Sequence, residues 1–181
     1  MGKCTFKGGV HPFDGKELSK DKPIKELFPE GDMVYPLSQH IGAPASPIVS
    51  VGDHVLKGQK IAEAGGFVSA PIHASVSGTV KAIEPHFNPT GSKVNCIVVE
   101  NDGEYQEVEY TPAKPLDALT KEEILNLIGE AGIVGMGGAG FPTKVKLSPK
   151  EPEKIEYVIA NCAECEPYIT ADYRRTLENP E

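Results

Sequence analysis

Five glycines lie within nine residues of this chain, between Gly132 and Gly140. Without Cβ atoms the backbone can be approached closely by a ligand, and it can adopt the positive φ values that tight loops often need. Backbone N–H groups in such a loop can converge on an anion. Lys144 and Lys146 follow closely and can supply positive charge. A hairpin or linker needs only one or two glycines, so the cluster favours a phosphate- or nucleotide-binding loop over a purely structural one.

The residues around this loop decide which kind of loop it is. Residues 135–140 spell G-x-G-x-x-G, a dinucleotide fingerprint that has this meaning only between a β-strand and a long helix. Thr120 and Glu123 instead form a capping box before apolar residues at helical spacing, so a helix precedes the loop and ends at its first glycine. Pro142 and Pro149 leave room for little more than one helical turn afterwards. The sequence thus argues against a Rossmann loop and for a phosphate-binding loop of another kind.

Composition and charge exclude several classes of protein. The 181 residues suffice for one domain, or for one domain and part of another. The 18 basic and 26 acidic residues give a net charge of −8, and no basic patch is present, so we expect no nucleic acid among the partners. No apolar run reaches the roughly 18 to 20 residues of a membrane-spanning helix. The N-terminus lacks the apolar core of a signal peptide, which predicts a cytoplasmic protein.

The four cysteines are too few for a secreted disulfide scaffold of this length, so we expect reduced thiols. Two of them, Cys162 and Cys165, form a Cys-x-x-Cys pair. Structural zinc is usually held by about four ligands, and no second pair of cysteines or histidines accompanies this one. The pattern therefore predicts no metal site, and a zinc site or a redox dithiol is the less favoured alternative.

Short β-like runs separated by turn residues extend from about Val34 to Val99, with strands predicted at 49–51, 78–83 and 96–100 among others. Such spacing predicts a small all-β sandwich or barrel. The phrases Val-Gly-Asp-x-Val-x-x-Gly-Gln and Val-Ser-Gly-Thr-Val resemble the biotinyl/lipoyl-carrier fold. A carrier presents a lysine on the tight turn between its two halves, and the matching residues 63–71 contain none. We therefore expect the carrier fold without carrier chemistry.

A further strand is predicted at Ile155–Ala160, and it runs into the polar sequence Asn161-Cys-Ala-Glu164-Cys-Glu166-Pro-Tyr. A helix is predicted over 169–178. Open α/β sheets bind ligands at the carboxyl ends of their strands, where Glu164 and Glu166 would accept hydrogen bonds from ribose hydroxyls or an amide. Alternatively, the two carboxylates merely interact favourably with the N-terminus of the helix.

The order of these motifs resembles a known family. Gly-x-Gly-Gly-Ala-Gly-Phe-Pro-Thr-x-x-Lys, followed by a strand and Asn-x-x-Glu-x-Glu-Pro, is similar to the flavin-carrying, NADH-oxidising subunit of respiratory complex I. The opening Phe-Lys-Gly-Gly-Val-His-Pro at 6–12, the β module and the run 161–170 resemble RnfC, the NAD-linked subunit of membrane-bound ferredoxin:NAD oxidoreductases. The resemblance covers essentially the whole chain. RnfC-like accessory proteins of amino-acid reductase pathways share this layout and are an alternative.

The resemblance implies an α+β fold class, in which a small all-β barrel-sandwich module of the biotinyl/lipoyl type precedes the first part of an α/β domain like that of the complex I flavin subunit. The implied division is an N-terminal arm at 1–30, the module at 31–108, a linker at 109–119 and a partial FMN/NADH-binding domain at 120–181.

The resemblance also implies cofactors: FMN and NAD(H) in the full-length protein, with 4Fe-4S clusters in a further C-terminal part. The glycines would wrap the FMN, Lys146 would pair with its phosphate or ring oxygens, and Phe141 would stack near the nicotinamide dinucleotide. Asn161 would hydrogen-bond the flavin, and the two glutamates would line the pocket. Hydride would pass between NADH and flavin N5, and single electrons between flavin and clusters. The implied site residues are Gly135, Gly137, Gly138, Gly140, Phe141, Lys146, Asn161, Glu164 and Glu166.

Three departures limit this transfer. The complex I relative has an arginine where this chain has Met136, and Ala163 stands in place of an acidic residue. RnfC proteins also carry C-terminal cysteine runs for two four-iron clusters, and no C-x₂-C-x₂-C-x₃-C-P run occurs in this sequence. We therefore expect an N-terminal fragment that is inactive alone and binds flavin weakly or not at all. The full-length protein would sit at the inner face of the cell membrane as a peripheral subunit. It would exchange electrons with other subunits of a membrane complex and, indirectly, with ferredoxin. The rival hypothesis is a non-catalytic interaction module whose β domain docks partner subunits.

Overall fold

The computed structural model describes residues 12–111 and 114–180. Most of the 6–12 motif, which the sequence assigns to the arm, lies outside the described residues, as does Pro112 of the predicted linker. The described chain divides into two compact units. The larger unit comprises residues 29–154, and the smaller one comprises residues 12–28 together with 155–180.

The larger unit is built on two antiparallel sheets. A four-stranded sheet has the order β1-β7-β6-β3, and a three-stranded sheet has the order β2-β4-β5. Its strands are β1 (Met33–Pro36), β2 (Ser46–Pro47), β3 (His54–Val55), β4 (Lys60–Glu63), β5 (Ile72–His73), β6 (Gly78–Phe87) and β7 (Lys93–Asn101).

Side chains from both sheets form one hydrophobic core. Strand β7 lies between β1 and β6, and its residues 96–99 are all buried. The core also includes Val55, Ile61 and Val80, each at most 1% exposed. Buried side chains on the facing sides of two packed sheets are what a sandwich requires. The predicted barrel-sandwich fold is confirmed.

One predicted strand of this module is wrong. Residues 49–51 form no strand, and the nearest one, β2, ends at Pro47. The backbone N–H of Ser50 donates a hydrogen bond to Asp53 Oδ2 over 2.8 Å. An aspartate side chain that bonds the local backbone offers it an alternative to a strand ladder, and here the chain turns instead.

The predicted helices are present, with ends close to those expected. Helix α1 (Lys121–Glu130) begins at the predicted capping box, because Thr120 Oγ1 accepts a hydrogen bond from the Glu123 N–H and the Glu123 carboxylate accepts one from the Thr120 N–H. Helix α2 (Thr143–Lys146) is a single turn, as the flanking prolines predict. Helix α3 (Ala171–Glu178) lies in the smaller unit. Short 3₁₀ segments occur at Lys16–Leu18, Leu116–Ala118 and Pro152–Lys154.

The strand predicted at Ile155–Ala160 is wrong for the described chain. This segment is neither strand nor helix, and its apolar side chains face solvent, with Val158 93% and Ile159 86% exposed. A strand exists only where a neighbour accepts and donates its ladder hydrogen bonds. Within residues 12–111 and 114–180, no segment pairs with it. The sequence of this segment is typical of a strand, but no described strand lies beside it to form ladder hydrogen bonds.

Candidate functional site

The glycine loop is held closed at its base, within the larger unit. The N–H of Gly135 donates to the Phe141 carbonyl over 2.9 Å, and the N–H of Thr143 donates to the Ile133 carbonyl over 3.0 Å. Val134 and Pro142 form an isolated antiparallel bridge between these bonds. The segment 136–140 therefore projects as a loop from a narrow neck, directly between α1 and α2.

The backbone of this loop offers free donors. Among the described residues, none accepts a hydrogen bond from the N–H groups of 136–140. Residues 136–139 form an exposed turn, with Met136 at 92%, so a ligand can reach its backbone. Successive unpaired N–H groups on a glycine-rich turn form a concavity suited to an anion.

Two glycines of this loop have contrasting surroundings. Gly140 has a φ of +60°, and a Cβ built on it would lie 2.8 Å from the Gln39 carbonyl oxygen and 3.0 Å from His40 Cα. The packing of the loop against the β module therefore requires glycine there. Gly137 has an ordinary φ, and a Cβ built on it would meet nothing within 4 Å. The protein's own packing gives no reason for glycine at position 137.

The remaining residues predicted for this half of the site lie close behind. Phe141 is 37% exposed and contributes its carbonyl to the neck of the loop. Lys146 lies in α2, is exposed, and makes no side-chain hydrogen bond or ion pair with any described residue. Lys144 differs, because its Nζ donates to Asn126 Oδ1 over 2.9 Å. Of these two lysines, Lys146 is therefore the one available to a ligand.

The other predicted residues lie in the smaller unit, on the segment before α3. Asn161 Oδ1 accepts a hydrogen bond from the Ala163 N–H over 3.0 Å. Glu164 Oε1 accepts one from the Asp172 N–H in the first turn of α3, over 2.7 Å. The Glu164 side chain is only 7% exposed. Its carboxylate therefore satisfies a helix N-terminus, which is the helix-dipole alternative considered for this residue.

Glu166 differs from Glu164. It is exposed, and within the described part of the chain its carboxylate makes no hydrogen bond or ion pair. The structure thus places six of the nine predicted residues on or beside one loop of the larger unit and three on one segment of the smaller unit. In each group, one charged side chain, Lys146 or Glu166, is free to meet a ligand.

Sequence reasoning missed a charged cluster beside the loop. Lys60 on β4 forms ion pairs with Glu63, at 3.0 Å, and with Glu130 at the end of α1. The Lys60 ammonium lowers the pKa of the Glu130 carboxyl, and Glu130 in turn raises the pKa of Lys60. Burial, with Lys60 nearby, lowers the pKa of His73. A cavity of about 320 Å³ opens beside this cluster, between the turn after β4 and helices α1 and α2.

Sequence reasoning also missed the contacts that Lys16 makes with Glu164. These residues are 148 positions apart, and no local pattern links them.

Cys96 is buried, and Cys162 and Cys165 are exposed free thiols. Over residues 12–111 and 114–180, no group of three or more His, Cys, Asp or Glu side chains is arranged to hold a metal ion. No helix in these ranges is both long and apolar enough to cross a membrane.

Comparison with known proteins gives two family matches. Residues 4–104 match the family described as the RnfC barrel sandwich hybrid domain. Residues 128–181 match the family described as the Nuo51 FMN-binding domain. The two matches follow one another along the chain in the order of the two motif groups described above.

Several curated proteins are similar over nearly the whole chain, and each is the C subunit of a larger complex. The one from the proton-translocating ferredoxin:NAD(+) oxidoreductase complex of Clostridium ljungdahlii is 51% identical over 98% of the chain and 39% of the relative. The one from the Na(+)-translocating ferredoxin:NAD(+) oxidoreductase complex of Acetobacterium woodii is 44% identical over 98% of the chain and 40% of the relative. The one from the ion-translocating oxidoreductase complex of Vibrio cholerae is 46% identical over 92% of the chain and 22% of the relative. The chain therefore spans two fifths or less of the length of these relatives.

Proposed function

The chain belongs to the RnfC family, and we propose that it contributes part of an FMN- and NAD(H)-binding site to an electron-transfer subunit of a ferredoxin:NAD oxidoreductase complex. The relatives are named as subunits of such complexes. The proposal divides the chain as the motifs do, into an arm at 1–30, a barrel-sandwich module at 31–108, a linker at 109–119 and a partial flavin domain at 120–181.

The observation that carries this proposal is the glycine at position 137. Neither its φ nor its neighbours require the absence of a side chain, and the N–H groups around it have no acceptor among the described residues. A phosphate brought against this backbone would explain both facts, because close approach needs glycine and an anion needs donors. The residues present therefore fit the phosphate end of FMN.

Each proposed site residue has a definite task in binding. Gly135, Gly137, Gly138 and Gly140 shape the loop around the phosphate, and Lys146 supplies the opposing charge. Phe141 would stack near the nicotinamide dinucleotide. Bound FMN would accept a hydride from NADH and release electrons singly, chemistry that belongs to the cofactor.

The proposal gives separate tasks to the three polar residues on the segment before α3. Asn161 offers an amide to the flavin, and Glu166 offers a free carboxylate to a ribose or amide. Glu164 acts in this proposal by holding the N-terminus of α3, since its carboxylate is already engaged. Iron–sulfur clusters, other subunits of the complex and, indirectly, ferredoxin would receive or supply the electrons, and the complex would hold the protein at the inner face of the membrane.

Flavin titration of the full-length protein tests the proposal. We expect wild-type protein to bind FMN, and Lys146→Ala to weaken binding about tenfold, the scale of one charge-assisted hydrogen bond. Lys150→Ala is the matched control, because Lys150 is an exposed lysine four residues away and makes no side-chain hydrogen bond or ion pair with a described residue. Gly138→Val should abolish binding, because Gly138 has a φ of +134°, which valine rarely adopts, so the loop would change its shape. Absence of FMN from the wild type, or unchanged affinity in Gly138→Val and Lys146→Ala, refutes the flavin site.

A non-catalytic interaction module is the second candidate, and one observation outside its β domain favours it. The segment Ile155–Ala160 exposes apolar side chains and an unpaired backbone, which is typical of a surface that another polypeptide covers. Under this candidate the full-length protein binds partner subunits equally well with or without the Gly138→Val change and never binds flavin. The titration therefore separates the two.

A further inference from the structure

The N-terminal arm, residues 12–28, contacts the segment 161–170 within the smaller unit. Lys16 Nζ donates hydrogen bonds to the carbonyl oxygens of Glu164 and Ile169, both over 2.8 Å. These two carbonyls bracket the turn that carries Glu166. The same ammonium lies 4.0 Å from Glu164 Oε2. One cation thus holds both ends of the turn.

Neighbouring residues of the arm add contacts to the same turn. The Tyr168 N–H donates to the Asp14 carbonyl over 2.5 Å. The hydroxyls of Ser19 and Thr170 lie 2.8 Å apart, and Thr170 is 7% exposed. Hydrogen bonds to charged groups and to buried hydroxyls contribute more than exposed ones do. Lys16 is therefore the charged residue among several contacts between arm and turn.

The turn itself has an unusual backbone that depends on this support. Tyr168 has a φ of +67°, which side-chain-bearing residues rarely adopt. Its ring lies on Gly15, where an added Cβ would come within 2.3 Å of the ring carbon Cε1. A sparsely populated backbone conformation persists only where the surrounding structure holds it. Glycine at position 15 and lysine at position 16 together provide that hold.

The position of Glu166 depends on the backbone of this turn. Its carboxylate makes no hydrogen bond or ion pair with a described residue, so its position follows that of the backbone. A movement at Glu164 or Ile169 would therefore carry Glu166 with it. Asn161 lies three residues before Glu164 on the same segment and would shift as well.

We propose that Lys16 is a positioning residue for the FMN/NADH site, acting through the 164–169 turn to place Glu166. The inference rests on the proposed function for its ligand, but the contact between the arm and the turn is independent of any ligand. Its structural consequence can therefore be measured separately from cofactor binding.

The test compares Lys16→Met, Lys16→Arg and Lys20→Met in the full-length protein. The Lys20 side chain makes no hydrogen bond or ion pair with a described residue, so Lys20→Met is the matched control for loss of one arm lysine. We expect Lys16→Met to raise the FMN Kd or the KM for NADH about tenfold, Lys16→Arg to restore most of the affinity, and Lys20→Met to stay within about twofold of wild type. Equal affinities in Lys16→Met and wild type overturn the inference, as does an equal loss in Lys20→Met.

Amide hydrogen exchange of residues 161–170, measured without flavin, gives the second readout. Lys16→Met should exchange faster than wild type across this segment, and unchanged exchange would overturn the inference whatever the flavin result. If wild-type protein binds no FMN, the proposed function fails, and the site-positioning role fails with it even where exchange is faster. If Lys16→Met does not fold, Lys16→Gln replaces it with the same two readouts, because glutamine removes the charge and keeps a polar side chain. Wild-type affinity and wild-type exchange in Lys16→Gln then overturn the inference.

Discussion

Alanine substitutions at three glycines of the larger unit separate three physical effects. Gly140 combines a φ of +60° with a close approach to Gln39 and His40. Gly103 has a φ of +75° with nothing within 4 Å of an added Cβ. Gly137 has neither feature. All three changes replace glycine by alanine, so differences in their effects on the unfolding free energy and on FMN affinity reflect the surroundings of each glycine.

The structure sets the expected size of each effect. A positive φ costs a side-chain-bearing residue roughly 1 to 2 kcal/mol, which is the whole effect expected for Gly103→Ala. Gly140→Ala adds overpacking against the Gln39 carbonyl, roughly 1 to 3 kcal/mol more, giving a total of about 2 to 5 kcal/mol. Gly137→Ala should instead stabilise by about 0.4 to 1 kcal/mol, because alanine restricts the unfolded chain.

Urea unfolding of the 181-residue chain measures these free energies, and FMN titration of the full-length protein measures the functional cost. Gly137→Ala should weaken FMN binding although it stabilises the fold, since its methyl group would occupy the place of the phosphate. If Gly140→Ala costs no more than Gly103→Ala, the loop does not pack on residues 39–40 as described. If Gly137→Ala leaves FMN affinity unchanged, the proposal that the phosphate lies against the backbone of residues 136–140 is refuted.

Two further predictions concern pH and the exposed apolar segment. Burial lowers the pKa of His73, so below about pH 6.5 the unfolded chain binds more protons than the folded one. The free energy of unfolding therefore falls as the pH drops. We expect His73→Gln to flatten the plot of unfolding free energy against pH between about pH 5 and 7. In wild-type full-length protein, the amides of residues 155–160 should exchange far more slowly than in the 181-residue chain if a sheet partner is supplied elsewhere, and equal exchange in both would show that the segment stays unpaired.

Local signals in the sequence predicted what local physics determines. Thr120 and Glu123 satisfy the first N–H groups of α1 within one turn, so the start of that helix could be predicted from four residues. The short β-like runs separated by turn residues likewise predicted the sandwich, because strand and turn preferences are local.

Features that depend on distant residues could not be predicted in this way. The strand pattern at Ile155–Ala160 needs a neighbour that no local rule supplies, and the prediction failed for that reason. Glu164 had two interpretations that its sequence context left open, and only the 2.7 Å contact with the Asp172 N–H distinguishes them for its carboxylate. Lys16 reaches Glu164 across 148 positions of sequence, which no spacing rule covers.

The β module of this chain supports the glycine loop and also restrains the turn where a carrier would present its lysine. Ser69 Oγ accepts a hydrogen bond from the Gly65 N–H and donates one to the Ala43 carbonyl. The Ala70 N–H donates to His40 Nε2 over 3.1 Å, and Nδ1 of the same ring lies 3.0 Å from the Ile41 carbonyl oxygen.

The loop 39–43 therefore binds the carrier-like turn on one side and packs against Gly140 of the glycine loop on the other. A carrier turn must be free to travel between sites, whereas this one is tied into the body that holds the glycine loop. The same fold can serve as a rigid support once the lysine is absent and the turn is hydrogen-bonded inward. On this reasoning, a change at His40 should loosen both the turn and the glycine loop, although His40 contacts no proposed ligand.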